Sequence, residues 1–78
     1  MRLLNDDTDT ALARLTLLLT REEASELRDT LEAILADDSR HEHVPSGDYA
    51  KEITVAVYDT ANVERFNARC QRLIREDT

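Results

Sequence analysis

Ala11-Leu12-Ala13-Arg14-Leu15-Thr16-Leu17-Leu18-Leu19-Thr20-Arg21-Glu22-Glu23 is the stretch on which the fold turns. Up to Leu19 the side chains alternate. Ala13, Leu15, Leu17 and Leu19 fall on one face of an extended chain, and Leu12, Arg14, Thr16 and Leu18 on the other. Leucine is a weak strand former, so a helix is the competing reading. The last four residues oppose it. Thr20 and Glu23 have the spacing of a capping box, in which the hydroxyl accepts from one backbone amide and the carboxylate accepts from the other. A helix that starts at 21 requires a different element to finish at 19. The reading is a strand over 11–19, then a helix.

That helix is expected to run to about residue 36, where Asp37-Asp38-Ser39 ends it. Ala24, Leu27, Leu31, Ile34 and Leu35 share one face, with Glu22, Glu26, Asp29 and Glu32 opposite. Residues 40–44 read as a short strand. Pro45-Ser46-Gly47-Asp48 follows, with the only proline and the only glycine of the chain, and marks a turn. Residues 51–58 are the clearest strand: Ile53, Val55 and Val57 alternate with Glu52, Thr54, Ala56 and Tyr58. The two runs form a hairpin. Asp59, Thr60 and Asn62 are candidate caps for a second helix over 62–75. Its apolar face, Val63, Phe66, Cys70, Leu73 and Ile74, repeats the spacing of the first helix position for position. Residues 1–10 have little to bury and read as a flexible N-terminal arm, leaving 11–78 as a single α/β domain.

The order β-α-β-β-α implies an α+β fold. A right-handed crossover followed by a hairpin places the third strand between the first two. The expectation is a three-stranded sheet of order 1-3-2, ferredoxin-like without its last strand, with both helices on one face. The opposite face would present Leu12, Leu18, Ala56 and Tyr58, with Arg14 at the rim. A semi-apolar face beside an open edge is a place for a partner, most simply a second copy of the chain.

Composition narrows the function classes. The chain has 78 residues, 41% hydrophobic and 35% charged, too apolar for intrinsic disorder. Its net charge of −7 repels phosphate backbones, which disfavours nucleic acid. Cys70 is alone, so no internal disulfide can form. No apolar run approaches the roughly 20 residues that span a bilayer, and Met1-Arg2-Leu3-Leu4-Asn5-Asp6-Asp7 lacks a signal-peptide core. A cytoplasmic protein without membrane contact is expected. There is no glycine-rich phosphate loop and no nucleophile beside a base, so neither an enzyme nor a cofactor is indicated. Cys70, on the apolar face of the second helix, reads as an inert thiol.

Two polar constellations remain. His41 and His43, two apart on a strand, place both rings on one face and make half a metal site, with Asp48 or Glu52 as a candidate carboxylate across the hairpin. Arg65, Arg69 and Arg72, continued by Arg75, form a stripe along the second helix. It suits an anion, or the acids of the first helix.

His41-Glu42-His43-Val44-Pro45-Ser46-Gly47-Asp48-Tyr49, Glu52-Ile53-Thr54-Val55-Ala56-Val57-Tyr58-Asp59, Arg65-Phe66-Asn67 and Leu73-Ile74-Arg75-Glu76-Asp77 together resemble short uncharacterised proteins of GC-rich bacteria. The resemblance covers most of residues 20–77 and brings no activity with it. The H-x-H-V element is also similar to one in small immunity proteins of bacterial toxin systems. The functional expectation is a non-enzymatic protein-binding module that self-associates through its sheet, immunity- or antitoxin-like in its most concrete version. The alternative is a metal- or small-ligand-binding protein using His41 and His43.

Overall fold

The computed structural model describes residues 1–78. The elements run β1 (Leu3–Asn5), β2 (Thr10–Leu12), α1 (Arg21–Ala36), β3 (His41–Pro45), β4 (Glu52–Ala56), a 3-10 turn (Val63–Arg65) and α2 (Ala68–Glu76). The class is α+β. There is no three-stranded sheet: β1 pairs with β2 and β3 with β4, both antiparallel, as two separate two-stranded sheets. The expected 1-3-2 order is thereby corrected. The chain forms two compact units, one of residues 18–58 and one joining 1–17 to 59–78.

The reason for the correction lies at the start of the chain. Thr10–Leu12 does pair as a strand, but with Leu3–Asn5, in the register Leu3 to Leu12 and Asn5 to Thr10. The intervening turn uses Asn5, whose side-chain oxygen accepts from the Asp7 amide 3.0 Å away. Asp9 closes the turn with φ 54, a left-handed conformation that aspartate tolerates better than most residues. The segment read as an arm therefore contains β1 and the first residue of β2. Extended pairing stops at Leu12, and 13–19 join no sheet.

The unit of residues 18–58 follows its local signals. Thr20 Oγ1 accepts from the Glu23 amide at 3.1 Å, and Glu23 Oε1 accepts from the Thr20 amide at 2.9 Å, completing the capping box. α1 lies against β3. Its covered side is Glu23, Leu27, Thr30 and Ile34, turned from the expected apolar face. Ile34 is 2% exposed, whereas Leu31 and Leu35 stay in solvent. In β3 and β4, Val44 is buried opposite a half-buried Ile53, and Glu42 and Val55 are half-buried opposite each other. The loop 46–51 closes with Ser46 N–H donating to Lys51 O and Tyr49 N–H to Ser46 O. Gly47 donates its amide to Glu23 Oε2 at 2.7 Å, so one carboxylate caps the helix and ties down the loop. These amides hold the Glu23 carboxyl below its ordinary value of 4.5, Thr20 contributing most and Gly47 next.

The other unit brings the two ends of the chain together. The expected helix over 62–75 is divided. Asp59 Oδ1 accepts from the amides of Ala61 and Asn62, and Asn62 Oδ1 accepts from the Asp59 amide. These bonds close the 59–62 segment on itself; the single 3-10 turn that follows has no side-chain cap and ends at an extended Phe66. Asn67 then caps α2 by accepting from the Cys70 amide at 2.9 Å. Gln71 donates back to Phe66 O and so braces the break. Arg2 Nε donates to the carbonyls of Leu73 and Ile74, both at 3.1 Å, near the end of α2. Leu73 O also accepts from the Asp77 amide, and the dipole at that end of the helix favours a cation. Neither helix is long and apolar enough to cross a membrane.

Candidate functional site

The outer face of the β3–β4 hairpin collects the histidines. Alternation turns His41 and His43 outward with Thr54, Ala56 and Glu52, and the register sets His41 opposite Ala56 and His43 opposite Thr54. The two rings lie 5.3 Å apart, centre to centre, at 90°. His43 Nδ1 is 2.6 Å from Glu52 Oε1 and 2.9 Å from Thr54 Oγ1. The hydrogen bond of this nitrogen is the one to Thr54, and the Glu52 carboxylate stands within ion-pair distance of it. Of the two carboxylates considered for this face, Glu52 is there and Asp48 is not. Asp48 accepts from the Ser46 hydroxyl and the Ala50 amide, which lower its pKa in that order. No group of three or more His, Cys, Asp or Glu side chains is placed to hold a metal ion. Thr54 was not anticipated as a partner. The alternation in residues 51–58 carried the signal, but only the hairpin register names the residue opposite His43.

The second candidate is the segment 14–19. It belongs to no helix or strand, and none of its backbone or side-chain groups makes a hydrogen bond within the chain. Leu15, Leu17, Leu18 and Leu19 are all exposed, Leu18 at 91%. Strand-like alternation and four leucines are thus present without a strand beside them.

The expected interface residues do not share one surface, because the sheet that would unite them is not formed. Leu12 is half-buried in β2 opposite Leu3, and Ala56 is exposed opposite His41. Tyr58 is half-buried beyond β4. Arg14 and Leu18 lie exposed in the unpaired segment.

The arginine stripe serves mainly the fold of its own unit. Arg69 donates to Asp9 Oδ1 at 2.5 Å and Asp6 Oδ1 at 2.8 Å, and Arg72 donates to Asp9 O at 2.6 Å. The hydrogen bond that Arg69 donates to Asp9, with the charges of Asp9 and Asp6, raises the Arg69 pKa. Arg65 is exposed on the 3-10 turn, and Arg75 bonds Gln71. The acids that answer this stripe are in the β1–β2 turn and not on α1.

A shallow groove of about 300 Å³ lies between the start of α1 and the 46–49 loop. Glu22, Glu23 and Glu26 line it, with Pro45 and Tyr49. Its one constrained carboxylate, Glu23, is already committed to Thr20 and Gly47. No protein-family model, curated protein or solved structure matches the chain.

Proposed function

We propose that this chain is a non-enzymatic protein-binding module that self-associates by strand pairing of residues 14–19 with the same segment of a second copy. The observation that carries the reading is a leucine-rich segment outside any helix or strand, with exposed side chains and no hydrogen-bonded neighbour. Pairing would satisfy its backbone donors and acceptors, the recurring logic of strand addition. A two-fold antiparallel pair is self-complementary. Leu15, Leu17 and Leu19 of both copies would gather on one face, with Thr16 and Leu18 on the other.

The energetics favour a reversible pair. Taking a leucine fully out of water is worth roughly 1.5–3 kcal/mol. Four partly exposed leucines in each copy give a gain of the same order as the roughly 4–15 kcal/mol that association costs. A concentration-dependent dimer is therefore expected. Sedimentation velocity from micromolar to high micromolar concentration tests it. The dimer should form in the native chain and vanish in Leu15→Lys/Leu18→Lys and in Thr16→Pro, with circular dichroism unchanged because the segment holds no structure in one copy. A chain that stays monomeric throughout, or a dimer indifferent to these changes, refutes the reading.

A further inference from the structure

Strand pairing of residues 14–19 could in principle take many registers, and the chain narrows them to one. We infer that two copies pair antiparallel about a two-fold axis through Leu17, with Leu15 opposite Leu19 and Thr16 opposite Leu18, and with the backbone bonds running through the odd-numbered residues. This register rests on the strand pairing proposed above and specifies how the second copy is recognised.

The first constraint is the length of free chain. The backbone bends at Ala13, straight after β2, and α1 begins at Arg21. Residues 14–20 lie between, all exposed, and Leu17 is their midpoint. A two-fold axis through Leu17 therefore uses the whole stretch in both copies. An axis through Leu18 would set Leu15 against Arg21, which is already helical, and one through Thr16 would set Leu19 against the bend at Ala13. The second constraint is parity. Residues directly opposite in an antiparallel pair point to the same face. An axis passing between two residues sets odd positions against even ones and mixes the leucine row with Arg14 and Thr16. The axis through Leu17 keeps Leu15, Leu17 and Leu19 of both copies together.

The third constraint is the helix cap. The Thr20 amide donates to Glu23 Oε1 at 2.9 Å, so it is not available to a strand partner. Thr20 O accepts from the Ala24 amide, also at 2.9 Å. Opposite residues in an antiparallel ladder alternate between pairs that exchange both backbone bonds and pairs that exchange none. Arg14 opposite Thr20 must be a pair of the second kind, and so must Thr16 opposite Leu18. The bonds then fall to Leu15 with Leu19 and to Leu17 with its own copy, whose amides and carbonyls have no partner within the chain. The cap of α1 thus sets the phase of the ladder.

Amide hydrogen exchange of the native chain, followed residue by residue by NMR, tests the register in samples whose dimer fraction is known from sedimentation. With roughly nine in ten chains paired, the amides of Leu15, Leu17 and Leu19 should exchange about tenfold more slowly than in the monomer, and those of Thr16 and Leu18 at the monomer rate. In a Cys70→Ser background, Leu17→Cys should form a disulfide-linked dimer under mild oxidation about tenfold faster than Leu18→Cys, because only residue 17 meets its own copy. Protection of Thr16 and Leu18 instead, uniform protection, or equal linking rates overturns the register and leaves the dimer standing. A chain that never dimerises overturns the strand pairing and the register with it.

Discussion

The two units are held together by different forces. Residues 18–58 form a helix on a hairpin, with Ile34 and Val44 buried and Glu23 linking helix to loop. Partners are near in sequence, and the strongest contacts are apolar. The unit made of 1–17 and 59–78 joins the ends of the chain. Its long-range ties are arginine side chains: Arg2 on the end of α2, and Arg69 and Arg72 on the β1–β2 turn. The lesson is that both units bury an apolar residue, Leu73 in this one, but only this unit adds charge-assisted hydrogen bonds between the ends of the chain. The two should respond differently to mutation, salt and acid.

The largest expected effect is on burial. Ile34→Ala should cost ~3 kcal/mol in chemical denaturation, because a filled site is emptied. Leu35→Ala, on the same helix but 76% exposed, should change stability by less than ~0.5 kcal/mol. Comparable losses would show that α1 does not use the covered side described above.

Salt and charge sharpen the contrast further. Exposed ion pairs are screened at ionic strengths where burial is unaffected. Raising salt to about 1 M, or introducing Arg69→Ala, should speed amide hydrogen exchange in Leu3–Leu12 and leave β3 and β4 protected. Equal effects in both units would break the comparison.

Acid acts on the other unit. Glu23 has a folded pKa below its ordinary 4.5, so its contribution is present above that value and is lost as the pH falls through the folded value. Glu23→Gln should flatten the acid branch of the stability curve below pH 4.5. Thr20→Ala, which removes the reciprocal half of the cap, should cost ~1 kcal/mol at neutral pH.

The smallest effects concern the 46–51 loop. Tyr49 has φ 59 and is not glycine, a conformation that costs an ordinary residue ~1–2 kcal/mol. Tyr49→Gly should therefore be neutral or raise the melting temperature slightly. Gly47 has no positive φ, and an added Cβ would meet Glu23 Oε2 at 3.8 Å, ordinary contact. Gly47→Ala should fold normally, provided the amide still reaches Glu23.

Much of residues 18–58 was legible because its signals are local. The capping box, the turn signal near Gly47 and the alternation over 51–58 each act within a few residues; the box appears where it was read, whereas the hairpin pairs 41–45 with 52–56, so Pro45 ends β3 and Val57 and Tyr58 lie beyond β4. The histidine face was legible for the same reason, since two residues apart on a strand means one side of it. Glu52 was already named beside it, but Thr54 needed the register. The shared spacing of the two apolar faces is not realised: Ala24, Leu31 and Leu35 are exposed in α1, and Val63 and Phe66 lie outside α2.

What the sequence by itself determined is where the first helix begins and which face of the hairpin turns outward, because a capping box, a turn and an alternation are settled by neighbouring atoms. What only the tertiary structure decided is the use of the alternating stretch from 11 to 19. Its first residues had two potential partners, the strand Glu52–Ala56 in the second half of the chain or Leu3–Asn5 just behind them. The nearer one closes a short loop at small entropic cost, and Arg69 and Arg72 hold that loop from the far end of the chain. Local periodicity cannot register so distant a clamp. It ends the strand at Leu12 and leaves the leucines from 15 to 19 without a neighbour.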